Sequence, residues 1–422
     1  MTSPTAALPP EPTGTPLTAG STSPWSVLGQ RDLRLLAGGL LISNTGTRVQ
    51  QLAQNWLLWE LTHAPIALGI YGLCRSIPFV VVSLYAGALA DRLDRRRLLL
   101  VSNAVNALFP LCIGTVVALG HIQPWHIYLA AALSAVADSF DGPTRQALIP
   151  ALVPRAQLMS ALSLMAGLRR ATSLVGPSLG GLAVLWVGTA GAFFLNAGGY
   201  CTVVLVVALM HTRTPPQPGS ARDDLAMVRD GLRYVAHHPL LGTLLGIEAL
   251  VTLCTSYYGI MPVFADAILG VGPAGLGLMM SAPGLGAVVG AIGLASYGEV
   301  EWKGRLFVVT GSLFGLSLVG FAASRTFVLT LAALAAAGLL DTVYGGVRNT
   351  IVQLAVAERF RGRVMALQML TQRGLGPSGN FLTGSLATLI GAPWAVATLA
   401  LVATGLAIWR GIGFPALRDF RE

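Results

Sequence analysis

A small set of ionisable side chains lies deep inside long apolar stretches of this sequence. They are Asp138, Arg169, Arg170, Glu248, Asp341 and Arg373. If each stretch forms a helix that spans a membrane, burying such a group costs several kcal/mol, so the group normally faces a cavity or an opposite charge. A carboxylate held there can bind a proton from one side of the membrane and release it to the other.

The three carboxylates of this set are candidates for carrying a proton. Glu248 is the first choice, because the internal repeat described below offers it no basic partner, and Asp138 and Asp341 follow. The alternative for the two aspartates is a structural ion pair that holds the helices to the loop arginines. Pairing with an arginine on the next helix is also expected. The expected pairs are Asp138 with Arg169 or Arg170, and Asp341 with Arg373.

Two stripes of polar side chains run along otherwise apolar segments. The first comprises Asn44, Arg48, Gln51 and Asn55, and the second comprises Gln368 and Gln372, extended by Asn380. Helical spacing places each stripe on one face, which favours a polar cavity; the alternative is hydrogen bonding between helices. Further candidates for a substrate-facing surface are Arg75, Arg170, Arg373, Tyr257, Tyr258 and Tyr344. The tyrosines can stack on an aromatic substrate or serve packing equally well, and Glu248 or an anionic ligand can neutralise Arg75.

Signatures of other chemistry are absent from the sequence. There is no phosphate-binding loop of the Walker type, and the six histidines form no HExxH. The cysteines Cys74, Cys112, Cys201 and Cys254 each stand alone in an apolar run, so we interpret them as packing residues. The sequence therefore predicts no enzyme, no cofactor and no metal site, and energy must come from an ion gradient or from the gradient of a substrate.

The elements that must position these residues follow from composition. Of 422 residues, 54% are hydrophobic and 11% are charged, and the mean hydropathy is +0.68. Ordinary soluble domains have about 25% charged residues, so this chain cannot cover a soluble surface. Soluble enzymes, disordered proteins and secreted disulfide scaffolds are excluded, and an all-α polytopic membrane protein remains.

Twelve apolar segments are each long enough to span a bilayer. They start near Leu33, Ile66, Leu98, Pro124, Ser160, Gly191, Leu240, Pro273, Leu306, Phe327, Val364 and Pro393. Residues 1–24 are rich in Pro, Thr and Ser and are predicted to form a disordered cytoplasmic tail, not a signal peptide.

The distribution of basic residues tests this count. If both termini are cytoplasmic, Arg325 is the one basic residue on the outer side. The cytoplasmic side then holds Arg31, Arg34, Arg92, Arg95, Arg96, Arg97, Arg145, Arg155, Arg213, Arg222, Arg229, Arg233, Lys303, Arg305, Arg359, Arg361, Arg363, Arg410, Arg418 and Arg421. This is the asymmetry of a multi-pass protein, so the net charge of +9 is a topology signal and indicates no nucleic-acid partner.

An internal repeat divides the spans into two halves. Asp138 and Asp341, Arg145 and Arg348, and Arg170 and Arg373 are all separated by 203 positions, as are Gly142 and Gly345. This predicts two parallel six-helix repeats, an N-terminal bundle over 25–211 and a C-terminal bundle over 239–422. Residues 212–238 are the cytoplasmic linker, in which Asp223 to His237 are predicted to form an amphipathic helix on the membrane.

The loop Gly87–Arg97 reads GALADRLDRRR and resembles the G-x-x-x-D-R-x-G-R-R-R loop of the major facilitator superfamily. The resemblance implies a conformational latch formed by Gly87, Asp91, Arg92, Arg95, Arg96 and Arg145. Asp91 is expected to cap a helix or to pair with an arginine. A simple topology anchor is the alternative. The sequence Gly176-Pro177-Ser178-Leu179-Gly180-Gly181 is similar to the signature of the superfamily's antiporters, which favours export.

Other motifs resemble the branch of the superfamily that contains the enterobactin exporter and macrolide efflux proteins. They are Trp56–Thr62, Pro143–Pro150 and Phe193–Ala197. The resemblance implies the twelve-helix fold, with the two polar stripes lining a central cavity. It also implies proton-coupled export of an amphipathic small molecule, a drug or a siderophore, across a bacterial inner membrane, by a protein expected to be monomeric. The rival interpretations are an importer or facilitator of a polar or anionic metabolite, and a non-transporting membrane sensor.

Overall fold

The computed structural model describes residues 26–210, 221–298 and 302–414, and within these ranges it is almost entirely helical, with no strand. The predicted disordered tail, residues 1–24, lies outside the described residues, as does most of the Pro-rich part of the linker.

The first half contains five helices that make six spans. They are α1 (Arg31–Thr62), α2 (Pro65–Arg92), α3 (Arg95–Ala118), α4 (Pro124–Leu152) and α5 (Leu158–Leu209), with short 3₁₀ turns at Ser26–Gly29 and Arg155–Gln157. The helix α5 turns back at Gly188, whose φ of 70° and ψ of 177° are not helical. Only glycine adopts this conformation readily, so this residue connects two spans without a loop.

The second half begins with the amphipathic helix and continues with six further spans. Its helices are α6 (Ala221–His237), α7 (Pro239–Cys254), α8 (Met261–Val263), α9 (Gly272–Tyr297), α10 (Lys303–Ala323), α11 (Phe327–Ala355), α12 (Arg361–Ile390) and α13 (Ala392–Gly413). A single span runs from α7 through α8 and a π-helical turn to Ile268. Each of the twelve predicted spans is confirmed, with its start within a few residues of the expected position.

Among the described residues, eight helical stretches are long and apolar enough to cross a membrane, with α5 counted once. The helices α1, α4 and α12 fall outside this set, because they carry the polar stripes and several of the membrane-embedded charges. These three helices therefore need a polar environment inside the protein.

The internal repeat is confirmed at the level of whole elements. The bounds of α4 and α11 differ by 203 residues at both ends, from Pro124 to Phe327 and from Leu152 to Ala355. The connecting glycine recurs at the same offset, since Gly188 and Gly391 both have a positive φ, 70° and 84°. The protein is an all-α membrane protein of twelve spanning helices in two parallel six-helix repeats.

Two seams of small residues join the halves, α5 against α9 and α2 against α12. A Cβ on Gly181 would lie 2.6 Å from the carbonyl oxygen of Pro273, and a Cβ on Gly277 would lie 2.7 Å from that of Pro177. Across the other seam, a Cβ on Gly384 would lie 2.6 Å from the carbonyl oxygen of Pro65. Glycine lets these backbones approach as closely as they do.

The two ends of the molecule differ. We call the end where α1 begins and α2 ends the basic face, and the other end the opposite face. At the opposite face the indole Nε1 of Trp59, on α1, donates to Asp266 Oδ2 of the π-helical turn at 2.8 Å. This hydrogen bond and the glycine contacts near Pro273 and Pro65 close the opposite face between the two halves.

The helix α6 confirms the helix predicted in the linker, and its described side chains pack on the protein. The ring of Tyr234 stacks on Phe360 at 4.2 Å, and Asp230 lies 3.7 Å from Arg363 at the start of α12. The helix also contacts α2 of the first half. It therefore bridges the halves at the basic face, and its contact with the membrane stays a prediction.

Candidate functional site

A cavity lies between the two halves and has two chambers. The N-side chamber, about 490 Å³, is lined mainly by α1, α2, α4 and α5, and the C-side chamber, about 610 Å³, mainly by α7, α9, α11 and α12. Gln372 and Pro377 of α12 line both chambers. The N-side chamber continues past Arg145 and Ile149 toward the basic face, whereas the opposite face is closed.

The N-side chamber is rich in arginine. Its charged lining residues are Arg48, Arg75, Asp138, Asp141, Arg145, Arg169 and Arg373. Arg75 Nη2 lies 3.3 Å from Asp138 Oδ2, whose other oxygen accepts a hydrogen bond from Asn106 Nδ2 at 3.0 Å. Arg145 forms an ion pair with Asp141 on the same helix. Both carboxylates of this chamber are thus already paired.

The other three guanidinium groups of this chamber have no carboxylate partner among the described residues. Arg48 donates to the neutral oxygens Gln51 Oε1 and Ser173 Oγ, both at 3.0 Å. Arg373 lies over the ring of Phe79, with Cζ 5.8 Å from the centroid. The chamber therefore carries excess positive charge.

The C-side chamber has the opposite character. The carboxylate of Asp341 is exposed to it and makes no hydrogen bond or ion pair within the described part of the chain. The rings of Tyr257 and Tyr258 stack at 4.8 Å, and Tyr258 is 42% exposed. This chamber presents one free carboxylate beside an accessible aromatic surface.

A buried ion pair lies behind this chamber. Glu248 on α7 is 0% exposed, and its Oε1 lies 2.5 Å from Arg348 Nη1 on α11 and accepts from Gln372 Nε2 at 3.0 Å. This corrects the interpretation of Glu248 as a carboxylate without a basic partner. It also shows that Asp138, and not Glu248, neutralises Arg75.

The two ion pairs expected from the sequence are wrong. Asp138 pairs with Arg75 and not with Arg169 or Arg170, and Asp341 forms no ion pair with Arg373. The depth of a residue along the helix axis does not fix the direction of its side chain, because consecutive helical residues point about 100° apart. Arg169 consequently lines the N-side chamber, and its neighbour Arg170 is exposed outside the cavity.

The structure brings most of the other predicted cavity residues together. Those that line a chamber are Asn44, Arg48, Gln51, Arg75, Tyr257, Tyr258, Tyr344, Gln372, Arg373 and Asn380. Asn55 is buried away from both chambers, because its stripe continues into the packed end of α1. Gln368 is also buried, and it donates to Asn349 Oδ1 at 2.7 Å, which is the helix-to-helix role that the alternative interpretation gave it.

Tyr344 reaches the C-side chamber but offers little of its ring. It is 3% exposed and stacks on Phe307 at 4.6 Å, so packing dominates its surroundings.

The helix cap in the loop between α2 and α3 is a residue that was not predicted for this role. The surroundings of Gly87 and the side chains of Asp91 and Arg92 lie outside the described part of the structure. The helix cap is Asp94, whose Oδ1 accepts from the backbone nitrogens of Arg96 and Arg97 at 2.9 and 3.2 Å. Asp91 lies in the last turn of α2, and the cap or ion pair expected of it stays a prediction because its side chain lies outside the described part of the structure.

Arg96 ties the start of α3 to the end of α5. Its Nε donates to the carbonyl oxygen of Val207 at 3.0 Å, and its Nη2 donates to that of Ala208 at 2.7 Å. These carbonyls lack partners within their own helix, so the arginine satisfies the end of the last span of the first half.

The antiporter-like signature packs α5 against two helices at once. A Cβ on Gly176 would lie 2.6 Å from Arg48 Cβ, and one on Gly180 would lie 3.0 Å from Val49 Cα, both on α1. Gly181 and Pro177 form the seam with α9, where Ser178 Oγ donates to Ser281 Oγ at 2.8 Å. The signature therefore sets both the position of Arg48 and the approach of the two halves.

A family model described as transmembrane secretion effector, within the major facilitator superfamily, matches residues 22–417. The chain belongs to this family. It is 24% identical to the multidrug efflux pump Tap of Mycolicibacterium fortuitum, over 85% of this chain and 90% of that protein. It is 26% identical to the enterobactin exporter EntS of Shigella boydii, over 73% of each. The resemblance inferred from the motifs is confirmed.

The fold agrees with solved structures. A bacterial homologue of the lysosomal transporter Spinster, inward-facing and unoccupied, matches with a TM-score of 0.71 at 11% identity, over 92% of this chain and 99% of that one. As a member of the transmembrane secretion effector family, the chain is a multi-pass membrane transporter of small molecules, and the family is one of transporters, not enzymes.

Several site residues were missed by the sequence reasoning. Arg169 was named only as a partner for Asp138, and Ser173, Phe79, Trp59 and Asp266 were not singled out. A signal existed for Trp59, because it repeats Trp56 one helical turn later at the end of an amphipathic segment. No sequence signal indicated Asp266, since its partner Trp59 is 207 residues away in the sequence.

Proposed function

We propose that this protein exports an amphipathic small molecule across the inner membrane of a bacterial cell by proton antiport with alternating access. The observation that carries the proposal is a charged cavity between two repeats, extending toward one face while glycine seams close the other. A rocking motion about these seams would expose the cavity to each side in turn. The relatives named as an efflux pump and an exporter support the direction.

The excess of arginine and lysine supports one orientation in the membrane. With the basic face in the cytoplasm, in accordance with the positive-inside rule, both termini are cytoplasmic and the cavity loads from the cytoplasm. We further propose that residues 25–211 and 239–422 move as two bundles about the linker 212–238. Since one chain supplies every wall of the cavity, a monomer is sufficient for transport.

Asp341 is the carboxylate that we propose to carry the proton. It is exposed to the cavity and has no ion pair among the described residues, whereas Asp138 is paired with Arg75 and Glu248 is buried against Arg348. A proton carrier must exchange protons with water in each state of the cycle, so we rank the three candidate carboxylates by their exposure to the cavity. For this reason we propose Asp341 ahead of Glu248, the first choice from the sequence.

The surroundings of Asp341 suit a group that changes charge during the cycle. The titratable and charged side chains that share its chamber are Arg348 on α11, Tyr344 on α11, and Tyr257 and Tyr258 after α7. Arg348 stays with Glu248 in this state, so the charge on Asp341 is balanced by whatever binds in the cavity. Coupling then requires that proton and substrate prefer different states of the transporter.

The test uses everted membrane vesicles with an acid interior and a pH-sensitive dye. A panel of cationic drugs, macrolides and catecholate siderophores is added to vesicles that contain wild type, Asp341→Asn, or Glu60→Gln as a carboxylate control at the opposite face. We expect one class of compound to drain the pH gradient with wild type and the control, and not with Asp341→Asn. The Asp341→Asn protein should still exchange labelled substrate for unlabelled substrate, because exchange needs no proton.

Failure of every compound to move protons with folded wild-type protein would refute proton-coupled export. A second candidate function, uptake or facilitated entry of an anionic metabolite, is favoured by the three arginines that have no carboxylate partner among the described residues. Accumulation of an anion by cells or right-side-out vesicles that contain the protein would establish that function instead.

A further inference from the structure

We propose that the substrate is amphoteric, with an acid group held by Arg48, an amine held by Asp341 and an aromatic body against Tyr258. The inference rests on the proposed export function and names its substrate class. It starts from the separation of charge in the cavity. Within the described part of the chain, guanidinium groups without a carboxylate partner line one chamber, and a carboxylate without an ion pair lines the other.

The positive end of the site is built on three helices. Arg48 lies on α1, Arg169 on α5 and Arg373 on α12, and none has a carboxylate partner in the described part of the chain. Unpaired charges inside a membrane are costly, and a guanidinium offers five N–H donors in a fork that matches a carboxylate. Arg48 uses two of its nitrogens on neutral oxygens, which leaves donors for an acid group.

Arg48 also adjoins the chamber that holds Asp341. Its Nη2 donates to Ser173 Oγ at 3.0 Å, and Ser173 lines the C-side chamber together with Asp341 and Tyr258. One small molecule can therefore touch both charges while it lies on the exposed ring of Tyr258.

The negative end explains why an acid group alone is not enough. An anion near Asp341 would favour the protonated form of that carboxylate, so substrate and proton would bind together, which is the coupling of a symporter. An amine near Asp341 favours the ionised form and competes with the proton. An amphoteric substrate thus uses the arginines for binding and Asp341 for exchange with a proton.

The probe is one aromatic scaffold in four charge states. Ciprofloxacin has a free amine and a free carboxylate; its methyl ester keeps the amine, its N-acetyl derivative keeps the carboxylate, and the doubly blocked compound has neither. With wild type in everted vesicles, we expect the half-maximal concentration for proton release to be roughly tenfold lower for the parent than for the ester, the loss of about one charge-assisted hydrogen bond. The N-acetyl derivative should release no protons.

Variants assign the two ends by equilibrium binding to purified protein in detergent, a readout independent of proton movement. Arg48→Gln should remove the preference for the parent over the ester, and Asp341→Asn should remove the preference for the parent over the N-acetyl derivative. Arg373→Gln is the second test of the positive end should Arg48→Gln fail to fold. Arg170→Gln, an exposed arginine outside the cavity, is the matched control and should leave both preferences intact.

The outcomes separate this inference from the export proposal. An ester as effective as the parent, or an N-acetyl derivative that releases protons, overturns the amphoteric site while export stands. The same holds if all four compounds are inert and another compound of the panel drains the pH gradient. If no compound moves protons with the folded protein, both proposals fall.

Discussion

Gly181 provides a direct test of how the halves close. In Gly181→Ala the new Cβ would lie 2.6 Å from the carbonyl oxygen of Pro273 and 3.1 Å from Ala274 Cα. Both are backbone atoms that cannot rotate away, so reaching an ordinary contact of 3.4 Å requires α5 and α9 to separate by about 0.8 Å. Overpacking of this kind costs about 1–3 kcal/mol.

This cost applies only to the state in which the opposite face is closed. The equilibrium should therefore shift by about 5- to 150-fold toward the state in which that face is open. The higher helix propensity of alanine stabilises both states equally and cancels from the comparison.

Spin labels at Leu61 and Ala267, one in each half at the opposite face, measure the shift in a background without the native cysteines. The distance distribution measured by pulsed electron–electron double resonance should gain a longer component in Gly181→Ala. The matched control is Gly198→Ala on the same helix, where an added Cβ meets nothing within 4 Å. If the two variants give the same distance distribution, the seam between α5 and α9 does not hold the opposite face closed.

Two further predictions concern polar contacts. Trp59→Phe removes the hydrogen bond to Asp266. Because that carboxylate is exposed, we expect the closed state to lose about 1 kcal/mol, a shift of about fivefold in the populations measured with the same spin labels. Unchanged distances would show that this contact does not help to close the opposite face. Glu248→Gln leaves Arg348 buried without its carboxylate partner, which should destabilise the fold by about 3–5 kcal/mol. The melting temperature in detergent should fall accordingly. Adding Arg348→Gln to this variant should restore part of the lost stability. A double variant that is less stable than Glu248→Gln would refute that account of the pair.

Much of the fold was predictable because it follows from one-dimensional patterns. Apolar length locates the spans, and the 203-residue offset carries over to the ends of α4 and α11. The positive-φ glycines Gly188 and Gly391 have the same spacing, so the repeat could also have located the two direct connections between spans.

For the charged residues, the sequence predicts the depth in the membrane but not the ion-pair partner. Counting residues places Arg169 and Arg170 at one level of the membrane, but one lines the cavity and the other does not, because rotation about the helix axis depends on packing. The partner of Glu248 is 100 residues away, so nothing in the local sequence indicates it. Asp94 could have been predicted as the cap, since an aspartate directly before a basic helix start is a common N-cap.

The connections at the opposite face have a consequence for what can reach this protein from that side. His63 and Ala64 alone separate α1 from α2, Gly188 alone separates the two spans of α5, and Gly391 alone separates α12 from α13. Such tight turns give a protease no extended strand to bind and give an antibody almost no epitope. Epitope tags, cleavage sites and fluorescent fusions should therefore be tolerated poorly at these three turns. A regulatory protein is expected to bind elsewhere, for example at the basic face, where α6 bridges the halves.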